Sequence, residues 1–77
     1  MQQIEFQLNG EYVELNQLFK MVGLCDSGGA GKALVADGVV CVDGQLELRK
    51  TAKIRLGAKV TLGDVEIRVI ASEAESN

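Results

Sequence analysis

Ile4, Phe6 and Leu8 alternate with Glu5 and Gln7, the period of a half-buried strand, and the turn pair Asn9-Gly10 ends it. Leu15, Leu18, Phe19 and Val22 recur at i, i+3, i+4 and i+7, which predicts an amphipathic helix stopped by Gly23. A second helix is predicted from Asp26 or Ser27 as N-cap to Asp37, with Ala30, Ala33 and Leu34 inward and Gly38 closing it. Gly28, Gly29 and Gly31 make its start weak by propensity. Beyond Gly38 the period changes to two. Val39 to Val42, Asp43-Gly44 and Gln45 to Leu48 read as a hairpin. A two-residue turn would place Val39, Cys41, Leu46 and Leu48 on one face. A three-residue loop with a glycine bulge would group Val40, Leu46 and Leu48 instead. Ile54 and Leu56 alternate with Lys53 and Arg55, Val60 and Leu62 follow Gly57, and Val65, Ile67 and Val69 make a last strand. Strand, two helices, then four or so short strands is an α+β order.

The length of 77 residues allows one domain, and 47% hydrophobic residues are enough for a core. Residues 1–70 are expected to form it, with the polar stretch 71–77 as a frayed tail. No apolar run approaches the roughly 20 residues that span a bilayer, and the opening MQQIEFQ lacks the layout of a signal peptide. A cytoplasmic protein without a membrane partner is expected.

The missing residue types narrow the chemistry. There is no His, so Ser-His and Cys-His catalysis are excluded, and no nucleophile–base pair suggests an enzyme. Cys25 and Cys41 lie sixteen positions apart with no CxxC, which gives no zinc site. They read as two small, mostly buried, reduced thiols, although a disulfide between them is open. No metal, cofactor, catalytic residue or small-molecule substrate is expected. SGGAGK invites a phosphate-loop reading and fails it: Asp26 stands where the first glycine should be, and Ala33 where the hydroxyl should be. What survives is a helix N-terminus whose amides favour an anion, with Lys32 one turn in.

The net charge of −3 conceals a strong polarisation. From Leu48 to Gly63 there is no acid, and Arg49, Lys50, Lys53, Arg55 and Lys59 all fall there. The remaining residues carry three basic side chains against eleven acidic ones. A polyanion or an acidic protein face is the partner that such a segment suits. Edge lysines that block strand-to-strand aggregation are a structural reason for the same charges. Arg49, Lys53 and Arg55 share parity, so an extended chain points them to one side, away from Ile54 and Leu56. They are expected to form one positive face that includes Lys32 or Lys50. Phe6 and Phe19 sit at core periodicities and only Tyr12 looks free, so a base-stacking platform is not expected. Charge without aromatics suits backbone and shape recognition of structured RNA.

The order of these pieces resembles a known family. Leu15, Leu18, Gly23-Leu24, Ser27, Lys32, Leu34, Gly38, Val40, Val42, Asp43-Gly44 and Gly57 match the RNA-binding domain named after ribosomal protein S-four. Val42 to Ile54 looks like the Val-Asp-Gly-x-x-Glu-x-Arg-Lys-x-x-Lys-Ile run of that family's small stand-alone bacterial branch. The resemblance implies two short helices followed by a β-hairpin and further short antiparallel strands, the alpha-L or S-four-like fold. It also implies non-catalytic binding of a structured RNA, with ribosomal RNA the candidate and association with the ribosome expected. Lys32, Arg49, Lys50, Lys53 and Arg55 are the residues implied to meet phosphates. The chain departs from the family at Gly28, often Arg, at Gly31, often Ala, and at Ala58, often Asp. The alternative reading is a protein-interaction domain that docks an acidic partner through the basic strand.

Overall fold

The computed structural model describes residues 2–72. The elements run β1 (Gln2–Leu8), β2 (Val13–Glu14), α1 (Leu15–Met21), α2 (Gly28–Ala36), β3 (Val40–Val42), β4 (Gln45–Leu46), β5 (Lys53–Ile54), β6 (Lys59–Leu62) and β7 (Val65–Ala71). Five strands form a sheet in the order β1-β7-β6-β3-β4, and β2 pairs with β5 in a separate two-stranded ribbon. All pairings are antiparallel except β1 with β7, which run parallel along seven residues from Gln2–Val65 to Leu8–Ala71. The first and last strands therefore lie side by side. β7 extends past residue 70 and Ser72 is buried, while 73–77, most of the expected tail, lie outside the described residues.

Alternation assigns each strand one inward face. Val40, Val60, Ile67 and Val69 line it, and Leu15, Leu18 and Phe19 of α1 and Val35 of α2 are fully buried in the same core. Helix α1 has the expected period and ends before Gly23. Helix α2 is capped by Ser27, whose Oγ accepts from the Ala30 amide at 3.1 Å. Its inward face differs from the expectation. Gly31 and Val35 are buried with Leu34 half-buried, whereas Ala30 and Ala33 are exposed. Glycine carries little hydropathy signal, so the sequence pattern settles on alanines one position away from the contact.

The hairpin takes the two-residue turn. Cys41 pairs with Leu46 and Val42 with Gln45, while Asp43 and Gly44 both have positive φ, +52° and +84°. That is the type I′ geometry whose twist matches the strands it joins. Leu46 and Leu48 consequently face outward with Val39, and Val40 on the other face enters the core. Leu56 is 59% exposed rather than inward, because β5 ends at Ile54 and the chain turns at Gly57. Cys25 and Cys41 are free and half-buried rather than buried.

Candidate functional site

Helix α1 has no side-chain cap at Glu14. Its first amides are satisfied from elsewhere: Leu15 N–H donates to Ala52 O at 2.9 Å, and Asn16 N–H donates to Lys50 O at 3.2 Å. A helix start thus holds the backbone of the basic segment in place. On the other side of the segment, β5 pairs with β2, Val13 opposite Ile54 and Glu14 opposite Lys53. Val13 and Ile54 turn into the core, so Tyr12, Glu14, Lys53 and Arg55 take the opposite face of the ribbon.

Tyr12 is where two of the charges meet. Lys53 Nζ lies 5.0 Å and Arg55 Cζ 5.7 Å from the centre of its ring, both in cation–π range. Arg49, Thr51, Ala52 and Lys53 line one shallow cavity. Lys53 also shares a second cavity with Arg55 and Asp43. Arg49, Lys53 and Arg55 are therefore brought together on one surface, with Lys53 central. Lys50 is held at Asn16 by its backbone carbonyl, and neither its side chain nor that of Lys32 lines these two cavities. Lys59 stands apart, opposite Arg68 across β6 and β7.

The surface is less purely cationic than the run of sequence implies. Arg49 is held by Glu47, Nε to Oε2 at 3.0 Å and Nη2 to Oε1 at 2.9 Å, and the same carboxylate accepts from the Arg49 amide. These hydrogen bonds lower the Glu47 carboxyl to about 2 and raise the Arg49 guanidinium. Arg49 is tied to an anion, whereas Lys50, Lys53 and Arg55 form no ion pair among the described residues.

Lys32 is exposed on α2, next to the closest approach of the two helices. A Cβ on Gly31 would overlap the Asn16 backbone carbonyl, so the helices pack more tightly than alanine permits. Asn16 also reaches α2 through its side chain, its Nδ2 donating to Gly28 O at 3.3 Å. At Gly28 a side chain would displace the Gln17 amide, 2.7 Å from a built Cβ. Asn16 therefore links both helices to the basic segment.

Three parts of this site escape a linear reading. Tyr12 stands out in the sequence as the one aromatic off the core pattern, but its cation partners come from across the ribbon. The Glu47–Arg49 pairing has a faint signal in the Glu-x-Arg spacing. Asn16 sits among the apolar positions of α1 and shows no signal of its own.

Comparison with known proteins decides the family. The sequence matches the S4 domain over residues 6–70. The chain belongs to the S4 domain family. YbcJ of Escherichia coli (strain K12) is 40% identical over 60 residues, covering 78% of this chain and 86% of that protein. YbcJ of Shigella flexneri matches with the same 40% identity and coverage. The solution structure of YbcJ from E. coli is similar at a TM-score of 0.66 and 35% identity, over 92% of this chain and 89% of that one. That structure reveals an alpha-L motif involved in RNA binding. Two helices with a mostly antiparallel sheet make this S4 domain α+β, and its departures at Gly28 and Gly31 coincide with the tight α1–α2 contact. Among the described residues no helix is long and apolar enough to cross a membrane.

Proposed function

We propose that this S4 domain is a non-catalytic RNA-binding module that grips the phosphates of a folded RNA, with ribosomal RNA as the intended partner and the cytoplasm as its location. The observation that carries the reading is the convergence of Arg49, Lys53 and Arg55 on one surface, pinned to the start of α1. Family membership and the RNA-binding motif of YbcJ support it. Lys50 and Lys32 extend the grip toward α2. Lys53, Arg55 and Lys50 carry most of the attraction, since Arg49 shares its charge with Glu47.

Each phosphate neutralised releases condensed counterions, so affinity falls as salt rises. Three to five contacts correspond to a log–log slope on the order of −2 to −4. A salt titration on one hairpin RNA measures it. Lys50→Ala and Lys53→Ala should each lower the slope by about one unit, and Lys59→Ala should change it less. Sedimentation of lysate at low and high salt tests the ribosomal partner: the protein should travel with ribosomal particles at low salt only. A flat salt response would overturn the phosphate grip and favour an acidic protein docked on the basic strand.

A further inference from the structure

Tyr12 has a second neighbourhood that the phosphate grip does not use. Its ring forms one wall of a cavity of about 320 Å³, with Phe6, Leu8, Val13 and Met21 as the other apolar walls. Gln7 and Asn9 supply amide groups at the same cavity. The volume is at the lower end for small-ligand sites, and apolar walls with a few polar groups are what such sites have. Met21, at the end of α1, is 63% exposed and Tyr12 is 41% exposed, although both are large and apolar. Lys53 and Arg55 are not among the walls. They lie against the Tyr12 ring, which is thus shared between an apolar cavity and two cations.

We propose that this cavity receives a single unpaired nucleobase of the bound RNA, stacked on Tyr12, while Lys53 and Arg55 hold the phosphate of the same or the adjacent nucleotide. The inference rests on the RNA-binding reading and adds to it a preference for RNA with an unstacked nucleotide. One aromatic cannot form a platform for a strand, but it can hold one base. Stacking on an aromatic side chain contributes about 1–3 kcal/mol per base, and every base offers a π-face, so the pocket selects an unpaired base more than a particular sequence. The charges agree with this occupant. A base carries its phosphate a short distance away, and Lys53 and Arg55 lie over the same Tyr12 ring that walls the cavity, within reach of such a phosphate.

The test uses two hairpin RNAs of the same stem and loop, one with a single-nucleotide bulge carrying 2-aminopurine. Wild type should bind the bulged RNA about tenfold more tightly and quench the 2-aminopurine fluorescence. Tyr12→Leu should abolish that preference, so that the variant binds both RNAs with the same affinity while wild type does not, and Tyr12→Phe should retain it. Met21→Glu, on an exposed position, should also lose the preference, which covers the case of a Tyr12 variant that misfolds. Equal affinity of wild type for both RNAs would overturn the pocket and leave the phosphate grip standing. The pocket is overturned as well if Tyr12→Leu weakens both RNAs alike, since the ring would then only position Lys53 and Arg55. Binding to neither RNA at low salt would defeat the RNA-binding reading itself.

Discussion

The α1–α2 pair and the β2–β5 ribbon lie side by side and share the Asn16 and Ala52 hydrogen bonds, yet they are built on opposite terms. Helix α1 buries Leu15, Leu18 and Phe19 completely and meets α2 closely enough that Gly31 admits no Cβ. The ribbon sends only Val13 and Ile54 inward and leaves Tyr12, Glu14, Lys53 and Arg55 in water. The helices hold stability, where volume and shape constrain each buried residue. The ribbon's outer face holds charge, where packing constrains little and residue choice answers to a partner. Substitutions in the two regions should therefore separate cleanly into loss of stability and loss of binding.

Phe19→Ala tests the packed region most severely. Removing that ring should cost about 3–5 kcal/mol in urea unfolding, most of what a domain of this size holds. Gly31→Ala is the sharper discrimination. Helix propensity alone favours alanine by about 1 kcal/mol, whereas forcing a methyl against the Asn16 backbone costs about 1–3 kcal/mol. The backbone cannot yield as a side-chain tip would, so net destabilisation is expected; a rise in the urea midpoint would show that the helices do not meet this closely. Ser27→Ala removes the α2 cap and should cost about 1 kcal/mol by the same measurement.

On the ribbon the outcome reverses. Lys53→Ala and Arg55→Ala should leave unfolding stability within about 0.5 kcal/mol, while each weakens RNA binding and flattens its salt dependence. A variant that loses stability and binding together would erase the distinction between the regions. The smallest effect concerns Glu47. Its carboxyl is lowered from 4.5 to about 2 by Arg49, so the pair contributes stability that is fully present above about pH 4.5 and is lost as pH falls through about 2. Because Arg49 is largely exposed, the contribution is small. Glu47→Gln should bring the variant and wild-type acid-unfolding curves together near pH 2 and separate them slightly above pH 4.5. The same change frees Arg49 and should tighten RNA binding by a few-fold at most.

Local signals determined much of this protein. The i, i+3, i+4 spacing from Leu15 places α1, Ser27 starts α2, and Asp43-Gly44 turns the hairpin, because each depends on residues within one or two turns of chain. Parity in an extended chain accounts for Lys53 and Arg55, but Arg49 reaches Lys53 through a turn at Lys50 and Thr51, closed by the Ala52 amide donating to Arg49 O at 3.2 Å. What tertiary structure alone decided involves partners distant in sequence. Gln2 to Leu8 reads as a strand, but its parallel pairing with β7 depends on the other end of the chain. The inward face of α2 depends on how near α1 comes, and glycine at the contact hides that face from any hydropathy pattern. Tyr12 gains its two cations only because β2 and β5, some forty residues apart, share a register. A linear pattern reports which side chains avoid water, but not which element covers them or which charges meet once it does.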